Sequence, residues 1–143
     1  TISTAGRRRA TVKLLADSSA LLALYLADDR NHRAAIDFLR ATPRARFVLS
    51  EMILGEVATR LAARAGALRA VEVARALLAS QRYEVLFVDR ELLNDATAFM
   101  EKHSDKRLSL TDCASMALMR RIGLEAAFTF DRDFRDCGFG MVP

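Results

Sequence analysis

Cysteine is scarce, with Cys113 and Cys137 the only two in 143 residues. That excludes a disulfide framework, and their spacing matches no zinc pattern. They read as reduced thiols of an intracellular protein. Histidine is as rare: His32 and His103 both sit in charged helical contexts that do not suggest catalysis. The prolines are Pro43 and Pro143, and the six glycines are scattered. This excludes an internal linker, a GxGxxG fingerprint and a phosphate-binding P-loop. Ser18, Ser19 and Ser50 lack the flanking glycines of a nucleophile elbow. No apolar run approaches the roughly 20 residues that span a bilayer. The first residues, TISTAGRRRATVK, carry charge, but the apolar stretch after them is broken by Asp17. That makes a poor secretory signal, and a cytoplasmic location is expected.

What is present is an ordinary globular balance, 52% hydrophobic and 28% charged. At this length a single core needs no staple. Lys and Arg number 22 against 18 Asp and Glu, a net charge of +4. The excess lies in residues 1–16, which hold Arg7, Arg8, Arg9 and Lys13 and no acid. The rest of the chain is neutral, so a body-wide basic surface is not indicated. The expected organisation is a basic N-terminal arm over residues 1–11, then one domain over residues 12–143.

The elements alternate in type. Short apolar runs at residues 11–16, 46–49, 83–88, 126–130 and 139–142 read as strands. Helices are expected over residues 18–27, 32–41, 50–65, 67–81, 90–103 and 110–122. Ser50 and Asp89 are the expected caps, and Gly66 and Gly123 the expected stops. This alternation predicts an α/β fold, a three-layer α/β/α domain around a short, mostly parallel sheet flanked by helices. Ligands of such sheets sit beyond the carboxyl ends of the strands.

Four acids fall at that edge. Asp17 follows the first strand and Asp131 follows the run AAFTF. Glu56 lies two turns into the helix after the second strand. Asp112 lies in the first turn of the helix that begins at Leu110. Each has an ordinary structural explanation: Asp17 as a helix cap, Asp112 as a partner of the helix dipole, Glu56 as a partner of Arg60, Asp131 as a turn residue. Gathered in one pocket, however, four carboxylates repel one another, and a divalent cation is the usual remedy. Oxygen ligands of this kind suit Mg²⁺ or Mn²⁺. Such an ion lowers the pKa of bound water and screens a phosphodiester, so hydrolysis needs no protein nucleophile.

With these positions in hand, the chain resembles PIN-domain proteins, and among them the VapC-type toxins of toxin–antitoxin pairs. The blocks that carry the resemblance are LLADSSALLALYLADDRNHRAAIDFL, LSEMILGEVATRL, LSLTDCASMALMRRIG and AAFTFDRDF. It implies a metal-dependent endoribonuclease. Asp17, Glu56 and Asp112 match the three central acids and Asp131 the more variable fourth. Asp133, two residues on, shares or replaces that role if the strand continues through it. Ser18 and Thr111 match supporting hydroxyls, with Thr111 also readable as a helix cap. The resemblance further implies an RNA substrate, a homodimer and a cognate antitoxin protein. The helices over residues 50–65 and 67–81 are rich in small apolar residues that suit a groove or a dimer interface.

Arg60, Arg64, Arg120, Arg121 and Arg132 lie on or beside acid-bearing elements and are candidate RNA contacts, as are the arginines of the arm. One alternative is a catalytically silent module of the same fold that binds RNA or protein. Another, a phosphatase or phospho-acceptor domain, fails on two counts. Ser19 stands where a second aspartate is needed, and none of the three lysines, Lys13, Lys102 and Lys106, follows a late strand.

Overall fold

A computed structural model describes residues 11–143. Arg7, Arg8, Arg9 and nearly all of the basic arm lie outside the described residues.

The chain runs β1 (Lys13–Ala16), α1 (Ser18–Tyr25), α2 (His32–Ala41), β2 (Arg46–Ser50), α3 (Glu51–Ala65), α4 (Ala67–Ala79) and β3 (Tyr83–Leu86). It continues with α5 (Arg90–Lys102), α6 (Leu110–Ile122), β4 (Ala126–Phe128), α7 (Asp133–Asp136) and β5 (Gly140–Val142). All five strands are parallel, in the order β3-β2-β1-β4-β5. Beyond their first residues β1 and β2 are buried throughout. Burial on both faces is what helical layers on each side of a parallel sheet impose. Right-handed crossovers put α1 to α4 on one face and α5 and α6 on the other. The contacts of α1 with α2 and α3, of α3 with α4, and of α5 with α6 agree.

Local chemistry sets the element ends. The Ser50 hydroxyl accepts from the Ile53 N–H at 3.2 Å and starts α3, and Asp89 accepts from Leu92 at 2.7 Å and starts α5. Gly123, at φ 74°, ends α6 in the left-handed region where a side chain is disfavoured. In the core the Phe128 ring meets Phe38 at 4.8 Å and Phe47 at 5.5 Å, and Phe47 stacks on Tyr83. Both cysteines are free and buried. Among the described residues no helix is long and apolar enough to cross a membrane.

Two expectations need correction. The strand through residues 126–130 stops at Phe128, because the Phe130 N–H leaves the ladder for the Ser19 hydroxyl at 3.0 Å. Asp133 is therefore not on a strand continuing past Asp131; it opens the short helix α7, which the sequence reading did not include.

The strand order places the site. From β1 the chain steps outward to β2 and β3, then returns across the sheet to β4 and β5 on the other side of β1. The direction thus reverses between β1 and β4, and the crevice at their carboxyl ends is where sheets of this kind bind ligands.

Candidate active site

Asp17 stands at that reversal. Its backbone N–H continues the ladder to the Phe128 carbonyl at 3.0 Å, which fixes the residue at the mouth of β1 and β4. It occupies the N-cap position of α1, but its side chain makes no capping bond. Instead Oδ2 accepts hydrogen bonds from the Ser19 and Thr129 hydroxyls, each at 2.8 Å. Only 3% of the residue is exposed. Burial pushes the carboxyl up to about 6; the Ser19 and Thr129 hydroxyls oppose this, the Asp112 charge adds to it, and the Ser18 N–H again opposes it. Two hydroxyl donors on one oxygen leave the other for a different partner.

The same hydroxyls organise the far side of the crevice. Ser19 Oγ accepts from the Phe130 N–H, and Thr129 Oγ1 accepts from the Asp131 N–H, both at 3.0 Å. Asp131 Oδ1 in turn accepts from the Asp133 N–H at 2.9 Å. One hydrogen-bonded chain thus links the acid after β1 to both acids after β4. Burial raises the Asp133 pKa, the charges of Asp131, Asp112 and Asp136 raise it further, and Lys106 opposes them. Asp112 acts electrostatically on both Asp17 and Asp133, so these three acids, with Asp131, share one field.

Asp112 is held by a capping box. Its Oδ2 accepts from the Ser109 N–H while the Ser109 hydroxyl accepts from the Asp112 N–H, both at 3.0 Å. The cap is therefore Ser109 and not Thr111, whose carbonyl accepts from Ser115 at 2.9 Å. Glu56 is engaged differently, by Arg60 at 2.9 Å one turn along α3. Among the described residues no three His, Cys, Asp or Glu side chains stand close enough to close around one ion. The donor set nevertheless fits a hard cation that takes one or two carboxylates and fills its shell with water. All donors are oxygens, and the most buried, Asp17, carries a charge its surroundings disfavour.

The expected hydroxyls were misplaced. The Ser18 residue is buried beside Asp17 and contributes its N–H, whereas the hydroxyls on the carboxylate come from Ser19 and Thr129. Thr129 was detectable as the lone hydroxyl in the apolar run at residues 126–130. The arginines divide. Arg60 and Arg132 line a cavity of about 620 Å³ together with Ser19, Arg30, Asn31 and Asp131. Arg64 pairs with Asp28 at 3.1 Å. Arg120 lies over the Phe99 and Phe139 rings, and Arg121 binds Asp89 at 3.1 Å. Both belong to the end of α6 opposite Asp112, on the order of 13 Å along the axis. His32 bonds the Ala23 carbonyl and His103 stacks on Phe99, so neither joins the acids. A second cavity of about 660 Å³, lined by Val12, Leu14, Phe38, Pro43 and Val142 among others, is apolar and carries none of the carboxylates.

Comparison with known proteins agrees with this architecture. The PIN domain family model matches residues 14–140. The 23S rRNA-specific endonuclease VapC20 of Mycobacterium tuberculosis is 33% identical over 129 residues, 90% of this chain and 97% of that protein. The crystal structure of that VapC20, a sarcin–ricin loop cleaving toxin, superposes with a TM-score of 0.81 at 32% identity, covering 88% of this chain and 95% of that one. Ribonuclease VapC26 of the same organism is 27% identical over 83% of this chain and 87% of that protein. A toxin–antitoxin complex from Klebsiella pneumoniae shares the fold, with a TM-score of 0.65 at 20% identity over 91% of this chain and 96% of that one. The chain belongs to the PIN-domain family, in its VapC group.

Proposed function

We propose that this protein is a metal-dependent endoribonuclease that hydrolyses RNA phosphodiester bonds as the toxin of a toxin–antitoxin pair. The observation that carries the reading is the Asp17 carboxylate. It is buried at the sheet reversal, fixed by two hydroxyls through one oxygen, and set in the field of Asp112. The VapC20 relative, named as an endonuclease specific for 23S rRNA, supports the substrate class.

Asp17 with one of Asp112, Asp131 or Asp133 would hold Mg²⁺ or Mn²⁺ and water would fill the rest of its shell, while Glu56 would take part only on leaving its pair with Arg60. Such an ion, when bound, activates water and offsets the charge of the phosphodiester. The protein's own part is positional. Ser19 and Thr129 keep Asp17 from rotating and help hold it ionised at neutral pH. The Ser109 box sets the direction of Asp112, and the Asp131 turn holds Asp133 in the field of Asp112. Ser18 contributes through its backbone. Thr111 bonds Ser115 through its carbonyl, and its hydroxyl makes no hydrogen bond to the acids among the described residues. Arg60 and Arg132 face the approach to the acids and would meet RNA phosphate. Their low number accords with the neutral body, which leaves grip to local contacts.

A cognate antitoxin would silence the acidic crevice most directly by placing a cation in it. The exposed apolar side chains Leu68, Val71 and Leu78 along α4 suit the contact of a homodimer. The cytoplasm is the compartment in which such a protein meets its RNA.

The test is cleavage of labelled RNA with Mg²⁺, with Mn²⁺ and with chelator. Metal-dependent cutting is expected from the wild type and none from Asp17→Asn prepared in parallel. Equal cutting by both proteins would remove Asp17 from the site.

A further inference from the structure

The cavity beside the acids carries a second kind of chemistry. Resting on the nuclease reading above, we infer that it receives one unpaired nucleotide of the RNA, adjacent to the phosphate that is cut. Arg30 and Arg132 hold that nucleotide's phosphate, the Phe130 ring stacks on its base, and Asn31 bonds the base edge.

Four observations support this. First, the cavity shares a wall with the acids, because Ser19, Phe130 and Asp131 line it and also belong to the Asp17 network. A strand whose phosphate reaches Asp17 therefore leads its neighbouring nucleotide here. Second, the cations are available and the acids are engaged. Arg60 is held by Glu56, but Arg30 and Arg132 make no ion pair or side-chain hydrogen bond among the described residues. The lining acids are taken up locally, Asp29 by the Asn31 N–H at 2.8 Å and Asp131 by the Asp133 N–H. Free guanidinium forks suit phosphate oxygens.

Third, the wall is built in advance. In the loop between α1 and α2, Asp29 N–H donates to Leu26 and His32 N–H to Asp29, both at 3.0 Å. His32 Nδ1 lies 2.7 Å from the Ala23 carbonyl, and the Asp28–Arg64 pair ties the same loop to α3. Phe130 is fixed by its N–H on Ser19 and stands edge-on to Phe128 at 6.3 Å. Fourth, the shape is a recess. At about 620 Å³ it is of small-molecule size. A base splayed from a loop or single strand can enter it, and a base stacked inside an A-form duplex cannot.

The experiment measures binding in the Asp17→Asn background, by fluorescence anisotropy of a labelled single-stranded RNA and of a duplex of the same sequence. The single strand is expected to bind at least about ten-fold tighter than the duplex. Adding Arg30→Gln and Arg132→Gln should lower the salt dependence of log Kd by about 0.7, the one phosphate they hold on a single strand. Phe130→Ala should weaken binding roughly 5- to 100-fold. Phe130→Leu, which keeps the packing against Phe128, should lose as much. Arg75→Gln, on exposed α4, is the charge control and should leave Kd unchanged. Equal affinity for duplex, no detectable RNA binding, or unchanged binding in the arginine and phenylalanine variants overturns the subsite alone. Wild-type cutting by the Asp17→Asn protein removes Asp17 from the site, and the subsite argued from its network falls with it.

Discussion

Asp17 is the residue at which stability and function pull apart. Unfolded, its carboxyl titrates near 3.8; folded, it is pushed up to about 6. Between these values the folded chain keeps a proton that the unfolded chain has released, so stability falls as pH rises through that window. Above about pH 6 the full penalty stands, on the order of 3 kcal/mol for a group this buried. In chelator, Asp17→Asn should therefore melt several degrees higher than wild type at pH 7 and no higher at pH 4. Melting curves across pH 4–7 check this, and a parallel fall in both proteins would remove Asp17 as the source. Thr129→Val removes one donor while keeping shape. It should raise the Asp17 pKa further, cost about 1–2 kcal/mol in urea unfolding, and weaken metal affinity roughly 10- to 100-fold. Asp17, Asp112 and Asp131 stand out as candidates in the sequence because each follows a strand or starts a helix, and those positions are written in hydropathy. The hydroxyls that hold Asp17 do not, because Thr129 comes from 112 residues further along and only folding makes them neighbours.

Most helices were legible from their ends. Ser50, Asp89, Gly66 and Gly123 all act as expected, because capping is chemistry between residues a few positions apart. The errors cluster where tertiary bonds compete with the local pattern. Residues 126–130 read as one strand, since Thr129 and Phe130 suit a ladder as well as Ala126 to Phe128 do. The Thr129 N–H does stay with the Val142 carbonyl, but the next N–H turns to Ser19, and the chain bends toward α7. The cap of α6 was missed for a related reason, as Thr111 and Ser109 are both capping residues and only the box with Asp112 selects Ser109. Ser109→Ala should lower stability by about 1 kcal/mol in a denaturant titration. It should also slow RNA cleavage while leaving KM nearly unchanged, since the direction of Asp112 and not substrate contact is altered. An equal loss in Thr111→Ala with none in Ser109→Ala would reverse this assignment.

The architecture as a whole followed from alternation alone: short apolar runs between helices demand a parallel sheet, and the reversal of order beside β1 gives it one crevice. The mutual repulsion collected there predicts strong coupling between folding and cations. At about 100-fold excess over Kd, Mn²⁺ should add roughly 2.7 kcal/mol to the wild type. It should add far less to Asp17→Asn, as differential scanning fluorimetry would report. The same crevice also carries a consequence for biosynthesis. Asp17 leaves the ribosome early, but Thr129 and Asp131, which complete its surroundings, emerge only after more than a hundred further residues. A nascent chain paused anywhere before that point holds an aspartate with no finished nest. The acidic nest is thus completed only once the segment carrying Thr129 and Asp131 has been made and folded against β1.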